Sequence, residues 1–107
     1  MADPIVQQIE LKGEIDLYQS PKIRSLLEEY LSKKPKVLMI NLSQVTYMDS
    51  SGLATLIEAV QKIKEYNGRL ILVAIPRKIK NVFEVARLTD FFEIYDDLSE
   101  AMKHVIS

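Results

Sequence analysis

Residues 37–75 carry the strongest structural signal in the chain, in the sequence VLMINLSQVTYMDSSGLATLIEAVQKIKEYNGRLILVAI. Two short runs, residues 37–40 and 70–75, are apolar on both alternating faces, as strands buried between helices are. Between them, apolar side chains recur at helical spacing through residues 53–63, and Gly68 suits a left-handed cap at the end of that helix. This order predicts two parallel strands joined by a right-handed helical crossover.

The N-terminal third predicts a strand followed by a helix. Ile9 and Leu11 alternate with polar neighbours, which is typical of a strand with one solvated face, and Gly13 marks a bend after them. Ser20 and Pro21 form a helix start, with a side-chain oxygen able to cap and a proline at the first helical position. A first strand and a first helix therefore precede the unit above.

The C-terminal third continues the alternation. A third amphipathic helix is predicted after Pro76, then a short strand over residues 91–95, then a last helix whose start, Asp97 and Glu100, resembles a capping box. The predicted order is therefore strand and helix four times. This order indicates the α/β class, with a four-stranded, mainly parallel sheet and about four helices.

Size and charge limit the classes of function. A chain of 107 residues has the length of one domain, so we expect residues 1–107 to form a single domain. Fourteen Lys and Arg against fifteen Asp and Glu leave a net charge of -1, with no block of like charges. We therefore expect no direct nucleic-acid partner and no membrane partner, and a monomer is the simplest expectation for this mixed surface.

The chain contains no cysteine, which excludes disulfides, thiolate metal sites and cysteine nucleophiles. Asp3 stands where a signal peptide carries positive charge. The longest apolar run, residues 70–75, is far shorter than the roughly 20 residues of a membrane span. We therefore expect a cytoplasmic protein.

The candidate chemistry lies in residues 41–53, predicted as the loop that leads from the second strand into the central helix. Its last part places Asp49, Ser50 and Ser51 at the helix N-terminus, where unpaired N–H groups and the helix dipole can hold an oxyanion or a phosphoryl group. A structural interpretation stays open, in which one serine caps the helix, the other is solvated and Asp49 complements the dipole. The spacing alone does not choose between them.

A set of short segments adds to this signal. The set comprises residues 13–16 (GEID), 40–42 (INL), 47–53 (YMDSSGL), 74–76 (AIP), 82–83 (VF) and 92–95 (FEIY). Together these segments resemble the STAS domain of the bacterial anti-sigma factor antagonists. The resemblance covers nearly the whole chain, and residues 48–53 are its most specific part.

The resemblance implies a partner-binding surface made of Asp16, Asp49, Ser50, Ser51, Gly52 and Leu53. In that family the serine directly after the aspartate is phosphorylated by a partner that is both anti-sigma factor and serine kinase, and by position this is Ser50. Ser51 matches the neighbouring hydroxyl, for which helix capping is the expected role. Asp16 and Asp49 match acids that line the same surface.

The resemblance also implies a mechanism. The unphosphorylated chain would bind the anti-sigma factor and free its sigma factor. Phosphorylation of Ser50 would add about -1.5 to -2 charges beside Asp49 and turn binding off. A separate serine phosphatase would reset the switch, and no catalytic residue, metal site or cofactor is expected in the chain itself.

Two features depart from the family pattern. Ala54 stands where relatives usually have a glycine, which alters how closely a partner's backbone can approach. Relatives often begin with an additional edge strand, for which only residues 1–8 remain. The sheet therefore gains a fifth edge strand here, lacks that strand, or has an unusually long first strand.

Three other functions stay open. An enzyme with Ser50 or Ser51 as nucleophile lacks the Gly-x-Ser-x-Gly pattern, and the sole histidine, His104, lies in the last helix, where a structural role is expected. A nucleotide site at the same helix terminus lacks a Gly-rich phosphate loop. A non-switching scaffold subunit of a signalling or lipid-transport complex shares the fold, so only a test for phosphorylation separates it from the switch.

Overall fold

Four strands and four helices alternate in the computed structural model, which describes residues 6–106 but not the side chain of Ile106. They are β1 (Val6–Ile15), α1 (Ser20–Leu31), β2 (Val37–Met48), α2 (Ser50–Lys64), β3 (Arg69–Val73), α3 (Arg77–Val85), β4 (Glu93–Tyr95) and α4 (Leu98–Ile106). The strands lie in the order β1-β2-β3-β4, and every neighbouring pair is parallel. The predicted α/β class with a four-stranded sheet and four helices is confirmed.

Two hydrophobic cores lie on opposite faces of the sheet. The larger core is formed by the sheet with α1, α2 and α3, and it contains Leu38 and Ile40 of β2. The smaller core is formed with α4, and it contains Val37 and Met39. The alternate residues of β2 are therefore buried on both faces, as the unbroken apolar run predicts. Among the described helices, none combines the length and apolar character needed to cross a bilayer.

Residues 41–48 belong to β2, so the predicted loop over this segment is wrong. The extension of β2 pairs with the second half of β1, and the pairing contains two register shifts. Within the extension, Leu42, Val45 and Met48 are buried. These buried residues are three positions apart, whereas a regular strand buries every second residue. The bulges cause this difference and make the strand hard to recognise from the sequence.

The first strand is long, which was one of the predicted alternatives for the N-terminus. Residues 6–8 belong to β1, and residues 1–5, which bear on a fifth edge strand, lie outside the described residues. The predicted bend at Gly13 is a bulge, where glycine takes a φ of 76° and the register with β2 shifts. Glycine adopts this left-handed conformation without the cost that a Cβ imposes.

The start of α1 differs from the prediction. Gln19 is the N-cap residue and makes no side-chain capping bond. Ser20 is already helical, and its hydroxyl donates to the carbonyl oxygen of Asp16 at 2.7 Å. The predicted Ser20 cap is wrong because the hydroxyl bonds back to the preceding turn instead of forward to a free N–H group.

Two further caps were predicted, one at the end of α2 and one at the start of α4. Asn67 takes the left-handed φ of 66° after α2, so the predicted cap at Gly68 is wrong. Gly68 is required for space, since a Cβ there would lie 2.6 Å from Cγ1 of Ile63. At α4 the predicted Asp97 cap is confirmed, because its Oδ1 accepts from the backbone N–H of Glu100 at 2.7 Å.

The predicted strands over residues 70–75 and 91–95 are shorter in the structure. β3 ends at Val73, because Ala74 takes a left-handed φ of 58° and leaves the extended conformation. β4 contains only Glu93–Tyr95.

A polar cluster joins the amino ends of β3 and β4. Arg69 donates through Nε to Oε1 of Glu93 at 3.1 Å and through Nη2 to Oε2, and the Tyr95 hydroxyl donates to Oε2 at 2.8 Å. Partial burial raises the pKa of Glu93. The hydrogen bonds from Arg69 and Tyr95 lower this pKa by more than burial raises it, so it lies below its ordinary value. The ionised carboxylate therefore stabilises the β3 and β4 pairing.

We expect Glu93→Gln to lower the free energy of unfolding by about 1 kcal/mol at pH 7, a modest value because the pair is partly solvated. Since the pKa is lower in the folded chain, this contribution is present above about pH 4.3, where an unfolded glutamate ionises, and disappears as the pH falls through the folded pKa. Urea unfolding at pH 7 and pH 3 measures the difference. The difference should shrink at pH 3, and an unchanged difference would contradict the assignment. Glu29→Gln, at an exposed position on α1, is the control.

Candidate functional site

The ends of β1 and β2 bring the two predicted acids to one edge of the sheet. Ile15 and Met48, the last residues of the two strands, are register partners. The backbone N–H of Asp49 continues this pairing by donating to the carbonyl oxygen of Ile15 at 3.4 Å. Asp16 and Asp49 therefore follow side by side at the carboxyl ends of parallel strands, where α/β sheets commonly place their binding sites.

Asp49 caps α2. Its backbone is extended, with φ -115° and ψ -170°, and its Oδ1 accepts from the backbone N–H of Ser51 at 2.9 Å and of Gly52 at 3.3 Å. Ser50 and Ser51 both lie inside the helix, so the expected capping role of Ser51 is wrong. The acid takes this role because it stands one residue earlier, where the backbone has not yet become helical.

Ser50 is the first residue of α2 and its side chain is exposed, whereas Ser51 is half-buried. The carbonyl oxygen of Ser51 accepts from the buried Thr55 hydroxyl at 3.0 Å. Asp49 already satisfies the two N–H groups that a serine cap would serve. The Ser50 hydroxyl therefore has no part in capping α2 and faces solvent.

Gly52 determines how closely α2 approaches the strands. A Cβ at this position would lie 2.8 Å from three atoms, which are Cγ2 and the carbonyl oxygen of Ile15 and Cγ of Met48. Gly52 and Leu53 are buried, so of the six predicted partner-binding residues these two face the core and the other four reach the surface. Direct contact of Gly52 and Leu53 with a partner stays a prediction. Their packing fixes the position of the first turn of α2, which carries Ser50.

Asp16 organises the turn between β1 and α1. Its Oδ1 accepts from the backbone N–H of Tyr18 at 3.0 Å and of Gln19 at 2.9 Å. Its carbonyl oxygen accepts from the backbone N–H of Ser20 at 2.8 Å. Asp16 is half-buried. Its hydrogen bonds hold the turn that follows β1, and its backbone lies beside Asp49.

Three exposed hydrophobic side chains stand within two residues of Asp16 or Asp49 in the sequence, and sequence analysis missed their role. The exposed fractions are 65% for Leu17, 83% for Tyr18 and 48% for Tyr47. Leu17 and Tyr18 directly follow Asp16, and Tyr47 pairs with Glu14 at the end of β2. An available signal was the Leu-Tyr pair between a predicted strand and a predicted helix start, where neither element demands apolar residues.

We call this surface the Ser50 corner, and it comprises residues 16–18, Tyr47 and residues 49–51. Its charged groups, Asp16 and Asp49, are both acidic, and neither forms an ion pair within residues 6–106. In the described part of the chain, no group of three or more His, Asp or Glu side chains could hold a metal ion. The corner therefore combines an exposed serine with two acidic side chains.

The histidine required by the enzyme hypothesis lies elsewhere. His104 belongs to α4, whose core is on the opposite face of the sheet from that of α2. Its ring stacks on Tyr95 with 4.6 Å between centroids, and its Nδ1 lies 3.0 Å from the carbonyl oxygen of Glu100. Because the sheet lies between them, His104 and Ser50 do not form a nucleophile and base pair.

The cap assignment predicts different effects for the neighbouring polar residues. We expect Asp49→Ala to lower the free energy of unfolding by about 1 kcal/mol, since two backbone N–H groups lose their acceptor. Ser51→Ala should change it by less than about 0.5 kcal/mol. Urea denaturation of both variants measures this, and a larger loss in Ser51→Ala than in Asp49→Ala would contradict the assignment.

The close contact at Gly52 predicts that even one methyl group is not tolerated. Gly52→Ala should lower the free energy of unfolding by about 1–3 kcal/mol, because the helix must move away from the strand ends. Ser50→Ala, two residues earlier at an exposed position, is the control and should unfold like the wild type. Equal stability of the two variants would show that α2 can shift freely.

The chain matches the model of the STAS domain over residues 3–101. It is 38% identical over 82 residues to an anti-sigma-B factor antagonist of Listeria monocytogenes, covering 77% of this chain and 72% of that protein. It is 32% identical over 87 residues to the anti-sigma-B factor antagonist of Bacillus subtilis, covering 81% and 79%.

A solved structure agrees with this family assignment. The structure of an anti-sigma factor antagonist from Mycobacterium paratuberculosis superposes with a TM-score of 0.87 at 25% identity, covering 96% of this chain and 87% of that one. Of the segments that carry the sequence resemblance, residues 13–16 and 47–53 lie together at the ends of β1 and β2. The chain therefore belongs to the STAS-domain family of anti-sigma factor antagonists.

Proposed function

We propose that the chain binds an anti-sigma factor through the Ser50 corner and thereby releases a sigma factor. The observation that carries this proposal is the exposed hydroxyl of Ser50 at the first residue of a helix capped by another side chain. Relatives named anti-sigma-B factor antagonists support the choice of partner. The chain acts as a binding protein and not as an enzyme.

Phosphorylation of Ser50 is the proposed off switch. The partner is both anti-sigma factor and serine kinase. The Ser50 Oγ attacks the γ-phosphorus of ATP, the bond to the β-phosphate oxygen breaks, ADP leaves, and a base of the kinase takes the hydroxyl proton. A serine phosphatase later hydrolyses the ester and restores the hydroxyl.

The charge of the phosphate acts on the partner rather than on the fold. It adds about -1.5 to -2 charges beside Asp49 and Asp16, in a corner that is already acidic. The fold tolerates this charge because it lies at the positive end of the α2 dipole. A partner that closes over the bare hydroxyl must now desolvate the phosphate next to two carboxylates and make room for it, and each 1.4 kcal/mol of that cost weakens binding about tenfold.

We expect ATP and a lysate of the source organism to place one phosphate on Ser50. Peptide mass spectrometry should find this phosphate in the wild type and should not find it in Ser50→Ala. Ser51→Ala is the matched control, because it keeps the Ser50 hydroxyl and should still be phosphorylated. A relative with known phosphorylation in the same lysate serves as positive control. If the relative is modified and neither serine of this chain is, the chain is a non-switching scaffold subunit.

A further inference from the structure

Leu17 and Tyr18 form the most exposed pair of adjacent large hydrophobic side chains in the described residues. Their exposed fractions are 65% and 83%, and they stand within two residues of Asp16. Burial of apolar side chains of this size stabilises a fold, so their exposure forgoes a gain that the core could have provided. Adjacent exposed apolar residues beside a functional hydroxyl indicate a contact with another molecule.

Hydrogen bonds fix the backbone of the turn that carries these two side chains. Asp16 accepts from the backbone N–H of Tyr18 and of Gln19, and its carbonyl oxygen accepts from the N–H and the hydroxyl of Ser20. These bonds anchor the turn to the start of α1 on one side and to β1 on the other. A partner therefore pays little conformational entropy to order the turn, which favours a large contribution to affinity from each side chain.

The surrounding charges limit the chemistry of the partner. Glu14, Asp16 and Asp49 flank the apolar side chains. An anionic membrane surface is disfavoured by these acids. A protein surface with an apolar pocket and a rim of Lys or Arg matches both the apolar and the acidic groups.

We infer that Leu17 and Tyr18 are the apolar anchors by which the chain binds its protein partner, and that Asp16 is a positioning residue that holds Tyr18 in place. The partner presents an apolar pocket rimmed by Lys or Arg. This inference rests on the proposed function, because Leu17 and Tyr18 belong to the Ser50 corner. Tyrosine is among the residues that most often dominate the binding energy of an interface.

The test measures the affinity of the purified anti-sigma factor that phosphorylates the chain, by calorimetric titration without ATP. Tyr18→Ser should weaken binding about 30-fold and Leu17→Ser about tenfold, since each removes a buried anchor. Val85→Ser is the matched control, because Val85 is 85% exposed on α3, away from the corner, and it should bind within about twofold of wild type. All three positions are exposed, so the variants should fold, and thermal unfolding checks this.

The outcomes separate the anchor from the proposed function. If the wild type binds and Tyr18→Ser and Leu17→Ser bind equally well, the anchors are wrong while the proposed function stands. If the wild type binds no anti-sigma factor, the proposed function fails and the anchor fails with it.

The role of Asp16 has a separate readout. Asp16→Asn keeps the side-chain acceptor of the turn and removes the charge, whereas Asp16→Ala removes both. Positioning predicts that Asp16→Asn binds within about threefold of wild type, since a rim charge is worth little, and that Asp16→Ala binds about tenfold more weakly. The double variant with Asp16→Ala and Tyr18→Ser should then bind almost as well as Tyr18→Ser alone. Equal losses in Asp16→Asn and Asp16→Ala, or full additivity, would overturn the positioning role.

Discussion

The contact of Gly52 with the ends of β1 and β2 is the constraint on which the Ser50 corner depends. The absence of a side chain lets the first turn of α2 approach Ile15 and Met48 more closely than any Cβ would allow. The same two residues are register partners, so one contact connects the helix to both strands. Asp16, Asp49 and Ser50 consequently lie at one corner, although Asp49 follows Asp16 by 33 positions in the sequence.

Asp49 and Ser50 divide two tasks that a single residue could not perform. Asp49 satisfies the free N–H groups of α2, and this leaves the hydroxyl of Ser50 without a structural duty. A hydroxyl that capped the helix would have to give up that bond whenever it was modified. The arrangement therefore allows the chemistry at Ser50 to change while the helix keeps its cap.

The sequence predicted the alternation of strands and helices because unbroken apolar runs and helical stripes report burial directly. It missed the extension of β2, because register shifts between Asn41 and Gln44 and between Val45 and Tyr47 break the period of two. The cap was assigned to the wrong residue, since Asp49 and the two serines are all able to cap and differ by single positions. The role of Leu17 and Tyr18 was missed although their position between two predicted elements was a signal, because hydrophobicity alone does not tell whether a side chain meets the core or a partner.

The proposed switch changes recognition through one phosphate on Ser50 and leaves the fold unchanged. The most direct measurement compares unmodified chain with chain phosphorylated only at Ser50, determining for each the free energy of unfolding in urea and the affinity for the anti-sigma factor. We expect free energies of unfolding equal within about 0.5 kcal/mol and an affinity at least about tenfold weaker for the phosphorylated chain. Weaker binding accompanied by a large loss of stability, or equal binding by both forms, would contradict it.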